Sequence, residues 1–414
     1  MAVPTTKEIM DYSPFNTGGF EETPKFRRSI YAELEKAAAN KYITALSGLR
    51  RVGKTVLLKQ LLQKKGGAYF SFDEQKYWNT ESISAVIETF LDHGFSTIVL
   101  DEIGNVGDWA GTLKKHYDRG NAKFLVSGSA SLKIKKGRES LAGRMFEYHV
   151  PPFQFDECLA KEGKAQAASS IWKMRAHDAE LPQFLMAGSF PEIHGETPEA
   201  ARKYVSSLAD KAVFEDIPNR FGIEHRAKLA DLLKYCATFS ASLYSESGIS
   251  STLGMGRSAV SDYISYLSQS YFAGVLLGEG SFASALRKTK KLFVSCPSLY
   301  WALSDSYSEG ASAEVAVYDR LCAWGEAPRF YRDYQKREVD FIVRGVPIEV
   351  KFRNQIGAQD YSALLYYMER KKAAFGIMVT KSAFDEKKIK GRRILQIPLS
   401  AFLCARGFGA LLDA

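Results

Sequence analysis

From Tyr31 onward the apolar positions switch repeatedly between helical and strand spacing. Tyr31–Ala39 reads as a helix, and the short apolar run Tyr42–Leu46 after it reads as a buried strand. The alternation continues with a helix over Thr55–Gln63, a strand over Ala68–Phe72, a helix over Ile83–Gly94, and strands over Thr97–Leu100 and Lys123–Val126. Strands separated by helical stretches imply right-handed crossovers and a mostly parallel sheet. The pattern breaks at Pro151-Pro152. A long helical stretch then runs to about Leu267, and from about Leu299 helix and strand mix again, with a hairpin around Arg344-Gly345. Residues 1–25, polar and dotted with Pro and Gly, read as a poorly ordered tail.

Composition narrows the class. The chain has 414 residues, 46% hydrophobic and 25% charged, which suits a soluble protein of several domains. A net charge of +9 mildly favours an anionic partner such as nucleic acid. The five cysteines show neither pairing nor metal spacing and read as reduced thiols. The N-terminus has no apolar signal-peptide core, and no run is long and apolar enough to span a membrane. A cytoplasmic location and no membrane partner are therefore expected.

The strongest chemistry lies between the first strand and the second helix. Gly48-Leu49-Arg50-Arg51-Val52-Gly53-Lys54-Thr55 fits G-x-x-x-x-G-K-[ST] in strand-to-helix context. Such a loop turns its backbone N–H groups toward phosphate. All eight residues are expected to bind ATP or ADP, with Lys54 on the β- and γ-phosphates and the Thr55 hydroxyl on Mg²⁺. The strand Thr97–Leu100 ends in Asp101-Glu102, which suits a metal-side carboxylate, Asp101, followed by a base, Glu102. Ser127 ends the next strand, where a hydroxyl could sense the γ-phosphate or simply make a turn. Arg144 could supply positive charge to the transition state, from its own chain or a neighbouring subunit, or sit in a surface salt bridge.

In the middle region, two helical stretches meet at Leu253-Gly-Met-Gly-Arg257, and Val260, Ile264 and Leu267 fall at helical spacing in the second. With the apolar residues Val275–Leu277 and the basic run Arg287–Lys291 following, the order reads as a helix-turn-helix with a positive wing. Arg257, Lys288, Lys290 and Lys291 are the candidate DNA contacts, and four phosphate contacts imply a log–log salt slope of about −3.6. The competing reading is a domain that only packs or regulates.

The last third carries Glu338-Val-Asp340-Phe-Ile-Val-Arg-Gly345-Val-Pro-Ile-Glu349-Val-Lys351. A two-residue turn at Arg344-Gly345 pairs Val343 with Val346. Continuing that ladder sets Asp340 opposite Glu349 and Glu338 opposite Lys351, all on one face. Facing carboxylates repel unless a divalent cation sits between them, so Asp340 and Glu349 are candidate metal ligands, with Lys351 positioned to orient water. The competing reading is a cross-strand salt-bridge cluster neutralised by Lys351.

These motifs together resemble a prokaryotic AAA-type, STAND-like ATPase family whose members carry a C-terminal domain of unknown function. The resemblance runs from about Phe26 to Leu403. It rests on the P-loop, Leu100–Ile103, Ser127–Ser131, Leu141–Arg144, Pro151–Glu157, Gly188–Pro191, and Glu338–Phe341 with Ile348–Lys351. It departs locally at Val294–Leu299, where similar proteins often carry an aspartate before the Pro or Gly. The resemblance implies that Gly188 and Pro191 belong to a lid motif touching the nucleotide. The C-terminal pattern resembles the D…E-x-K site of restriction-endonuclease-like folds, in which Glu314 would supply the glutamate of a preceding helix.

The expected fold is therefore α/β: a tail (1–25), a P-loop ATPase core with a parallel sheet (26–150), a helical lid (151–200), a helical winged-helix domain (201–297) and a restriction-endonuclease-like domain (298–414). Two functions compete. One is a DNA-associated ATPase coupled to a nuclease-like domain. The other is a STAND-like nucleotide-dependent switch that recruits a protein partner or a second copy and cuts nothing.

Overall fold

The computed structural model describes residues 2–19, 21–130, 141–165, 172, 177–280 and 289–413. They divide into two compact units, Met1–Val150 and Pro151–Ala414.

The first unit is built on five parallel strands: β1 (Ile43–Ser47), β2 (Ala68–Ser71), β3 (Thr97–Asp101), β4 (Lys123–Gly128) and β5 (Met145–His149), in the order β2-β3-β4-β1-β5. Helices cross between them as the apolar spacing requires. The helix Thr80–Asp92 is capped by Asn79, whose side chain accepts from Ser82 N, and it buries Ile83, Val86, Ile87 and Phe90. Each such side chain contributes roughly 1.5–3 kcal/mol by leaving water. Because β4 lies between β1 and β3, the carboxyl ends of three central strands converge on the loop after β1.

Two expectations fail in this unit. The N-terminal residues are not loose. A capping box of Thr5 and Glu8 starts the helix Thr6–Met10. The Asn16 carboxamide donates to Ile9 O (2.7 Å) and Tyr69 O (3.0 Å) and accepts from Tyr69 N (2.7 Å). It thereby pairs the open edge of β2 as a neighbouring strand would. Strand β5 is also additional; it is a half-exposed edge strand without clean alternation, so its sequence carries no strand period.

The second unit begins with helices, among them Leu181–Ala187, Arg226–Thr238, Glu246–Leu253 and Arg257–Gln269. A three-stranded antiparallel sheet follows the last pair: β6 (Ser242–Tyr244), β7 (Ala273–Leu276) and β8 (Lys290–Val294), in the order β6-β8-β7. The helix Glu309–Ala323, capped by Ser308, then leads into six strands. These are β9 (Arg329–Arg332), β10 (Glu338–Val343), β11 (Val346–Lys351), β12 (Phe375–Thr380), β13 (Asp385–Ile389) and β14 (Arg392–Pro398), in the order β13-β14-β12-β11-β10-β9. Strands β11, β12 and β14 are parallel, and the other pairs are antiparallel.

The β10–β11 turn forms where expected. Arg344 (φ 50°) and Gly345 (φ 80°) are both left-handed, as a two-residue hairpin turn requires, and Val343 pairs Val346. Among the described residues, no helix is long and apolar enough to cross a membrane.

Candidate nucleotide site and C-terminal carboxylate cluster

The loop after β1 is closed from several sides. Gly48 (φ 155°) passes so near Val150 that a β-carbon there would lie 2.3 Å from the Val150 carbonyl oxygen. Arg51 (φ 67°) and Gly53 (φ 99°) turn the chain into the helix Lys54–Lys65. Arg28 Nη1 donates to Val52 O at 2.5 Å and braces the loop. Gly48→Ala is therefore expected to displace the loop from β5. Its measurable result is a lower melting temperature together with weakened nucleotide binding, and an unchanged melt would refute the packing argument.

Buried side chains gather beside this loop. Lys54 (4% exposed) donates from Nζ to Gly48 O (3.0 Å), Leu49 O (3.1 Å) and Ser129 Oγ (3.3 Å). Asp101 (1% exposed), at the end of β3, accepts from Thr55 Oγ1 (2.7 Å), Tyr69 OH (2.7 Å) and Ser127 Oγ. Ser127 Oγ also accepts from Glu102 N at 3.0 Å. Glu102 takes both donors of Ser129, the backbone N–H at 2.9 Å and the hydroxyl at 2.5 Å, and lies 3.8 Å from Lys54 Nζ.

The electrostatics match a triphosphate and a hard cation. Burial lowers the affinity of Lys54 for its proton, opposed by Glu102 and Asp101. Burial, reinforced by Glu102, raises the Asp101 carboxyl against the donors Ser127, Thr55 and Tyr69. Phosphate oxygens would favour the Lys54 ammonium, and a divalent cation would favour the Asp101 carboxylate. The paired oxygens of Thr55 and Asp101 are the donor set that Mg²⁺ accepts.

Two members of this site had no assigned role in the sequence. Tyr69 lies on β2, and its hydroxyl on a buried strand beside β3 was the available signal. Ser129 followed Ser127 as part of a turn-like Ser-Gly-Ser. Arg144 precedes β5, and its carbonyl accepts from Ile43 N at the start of β1, so it stands at the sheet edge opposite the loop. It is paired with Asp118 at 2.7 Å, and five strand residues separate its level from the nucleotide loop. The fold thus sets Arg144 at the other end of β1 from its own chain's nucleotide loop.

In the second unit, Gly188 ends the helix Leu181–Ala187 with its N–H on Phe184 O (2.8 Å), and the Phe184 ring leaves no room there for a β-carbon. The Pro191 carbonyl accepts from Lys161 Nζ at 3.1 Å. Arg257 is exposed at the first turn of its helix. Lys290 pairs with Glu246 at 3.3 Å, and Lys288 lies outside the described residues.

Lys291 overturns its expected place on the wing. It is 2% exposed, and its Nζ lies 2.7 Å from Glu338 Oε1, 3.2 Å from Asp340 Oδ1 and 3.8 Å from Glu314 Oε2. No phosphate can reach a side chain so enclosed.

The carboxylates do gather, and the hairpin keeps the expected register as far as Phe341–Ile348. On the β9 side of β10, Glu338 pairs with Arg332 at 3.3 Å. The β10–β11 ladder ends at Phe341–Ile348, and beyond it the Asp340 carboxylate accepts from Val350 N at 3.0 Å. Glu349 and Lys351, two residues apart on one face, pair at 2.5 Å. Burial and Asp340 push the Glu349 carboxyl up to about 8, and burial with Asp340 also raises Glu314. Among the described residues no group of three or more acidic, His or Cys side chains is placed to hold a metal ion, and the Lys291 ammonium lies 3.2 Å from Asp340.

Comparison with known proteins agrees with the first of these sites. Residues 40–159 match the family model of an AAA domain. Residues 178–309 and 309–402 match two domains of unknown function, DUF8612 and DUF4143. The chain is 24% identical to the uncharacterized protein MJ1637 of Methanocaldococcus jannaschii, over 92% of this chain and 89% of that protein. It is 26% identical to an uncharacterized protein of Haemophilus influenzae, over 57% of this chain and 61% of that one.

Among solved structures, the Thermotoga maritima RuvB Holliday junction branch migration motor aligns with a TM-score of 0.33 and 14% identity, over 60% of this chain and 89% of that one. A Pyrococcus horikoshii STAND protein with a tetratricopeptide repeat sensor aligns at 0.30 and 11% identity, over 73% and 46%. At those scores the assignment of an AAA-type P-loop core rests on the matched domain and on the sheet and loop geometry above.

Proposed function

We propose that this chain binds and hydrolyses ATP and acts as a nucleotide-dependent switch, with a C-terminal sheet that cuts no nucleic acid. The observation that carries the ATPase reading is the Thr55–Asp101 hydrogen bond, 2.7 Å long, beside a Glu102 held by Ser129. Mg²⁺, held by Thr55 and Asp101, would neutralise phosphate charge. The chain's own groups do the rest. The loop amides and Lys54 hold the phosphates, Ser127 orients Asp101, and Glu102 accepts a proton from the attacking water.

The switch reading is favoured over a DNA-associated nuclease by the loss of Lys291 from the wing and its burial among the carboxylates. Of the proposed phosphate contacts, Arg257 is the exposed one among the described residues, which is little to hold a duplex. Arg144 could serve a neighbouring subunit only by leaving Asp118.

The test is ATP turnover by the full chain with and without duplex DNA, alongside plasmid nicking in Mg²⁺ or Mn²⁺. Mg²⁺-dependent turnover that DNA leaves unchanged, and intact plasmid, are expected. Stimulation several-fold by DNA, or nicking lost in Asp340→Ala, would restore the nuclease reading. Absence of ATP uptake by folded protein would sink both.

A further inference from the structure

Strand β8 belongs to the three-stranded sheet, yet its alternate residues serve the six-stranded one. Lys291 and Phe293 are two apart and so face the same way. Phe293 stacks on Tyr318 of the helix Glu309–Ala323 (centroids 4.4 Å apart) and packs on Phe341 of β10 (5.7 Å). Gly274 of β7, paired with Phe293, is bare because the Tyr318 hydroxyl fills the space a β-carbon would need. Lys291 extends the same contact as a charge, reaching Glu314 on that helix and Glu338 and Asp340 on β10. Aromatic and ionic contacts thus act at adjacent points of one strand.

We propose that the Lys291 ammonium is the resident cation of this carboxylate cluster, standing where a divalent metal ion would stand and locking β8 onto the six-stranded sheet. Side-chain cations already meet most of the acidic charge. Glu314, Glu338, Asp340 and Glu349 meet Lys291, Lys351 and Arg332. A divalent ion added beside Lys291 would have to share carboxylates already held by an ammonium at 2.7–3.8 Å. A second observation points the same way. Glu349 is 5% exposed, and its Oε2 has no hydrogen-bond donor among the described residues. The Lys291 ammonium donates to Asp340 at 3.2 Å and lies 2.7 Å from Glu338 and 3.8 Å from Glu314. The unfilled oxygen is what a metal ion would have taken. Metal and Lys291 therefore exclude one another, and the sheet has no metal chemistry while β8 is seated. This inference does not depend on the ATPase reading and is tested without nucleotide.

The experiment is Mn²⁺ binding to the nucleotide-free full chain, followed by electron paramagnetic resonance. Wild type is expected to show no Mn²⁺ bound at this cluster. Lys291→Met, which keeps an unbranched stem one atom shorter and removes the charge, is expected to take up one Mn²⁺ at least about tenfold more tightly than wild type. Asp340→Asn in that background should remove the new site, and Lys291→Arg should keep it closed. A folded Lys291→Met that binds no Mn²⁺, or a wild type that binds it in a manner sensitive to Asp340→Asn, overturns the proposal. If Lys291→Met does not fold alone, refolding in millimolar Mn²⁺ decides: recovery supports exchange of one cation for the other, and failure refutes it.

Discussion

Lys54→Ala is expected to abolish ATP binding at concentrations that saturate the wild type and to reduce turnover to background. The ammonium is already aimed. It is anchored on the Gly48 and Leu49 carbonyls and on Ser129, in a pocket that leaves it 4% exposed. Two charge-assisted bonds to phosphate, each worth about 1.5–3 kcal/mol, correspond to roughly 10²–10⁴-fold in affinity. Part of the measured loss could come from the loop itself, because the same ammonium ties two of its carbonyls together. Lys54→Met, which keeps the stem and removes the charge, separates the effects. Calorimetry should show ATP binding lost in both variants, with the melting temperature closer to wild type in Lys54→Met. Nucleotide affinity equal to wild type in a folded Lys54→Met would overturn the assignment of this loop.

The ease with which this loop is read has a physical origin. A phosphate cradle is made from consecutive backbone amides, so its ligands are adjacent in sequence and its glycines mark the path. Asp101 and Glu102 follow a buried strand whose apolar run announces it. Tyr69 completes the Asp101 shell from another strand, and only the order β2-β3 brings the two together.

The C-terminal region shows the same division. The turn at Arg344-Gly345 was legible because left-handed residues are confined to few types, and the pair Val343–Val346 follows from it. The ladder beyond was not, because Asp340 spends its carboxylate on the Val350 amide and the β9–β10 register shifts between Val339 and Ile342. Lys291 was the hardest to place. In sequence it ends a basic run, and nothing local distinguishes it from Lys290. In the fold it meets Asp340, 49 residues away, because β8 turns alternate side chains to the sheet. The faint signal was Phe293, in phase with Lys291 and too large to be left in water.

Glu102→Gln is expected to separate binding from chemistry: ATP should bind as in wild type while turnover falls by roughly 10²–10⁴-fold, the range of a lost general base. Glu102 holds an uncommon left-handed backbone (φ 50°) just after β3. Its amide N–H on Ser127 and its two carboxylate oxygens on Ser129 keep it there. A residue held against its conformational preference by three bonds is positioned rather than merely solvated. Glutamine retains one oxygen for the Ser129 amide and so preserves the turn, but its nitrogen cannot accept a proton. Ser129→Ala should act through position. It leaves the carboxylate in place and removes one of its two Ser129 donors, so turnover should fall less than in Glu102→Gln and ATP affinity should change little. Single-turnover measurement distinguishes these outcomes from slow product release. A Glu102→Gln protein that cleaves bound ATP at the wild-type rate would transfer the base to another group, and would leave the bonds from Ser127 and Ser129 as devices for shaping the turn alone.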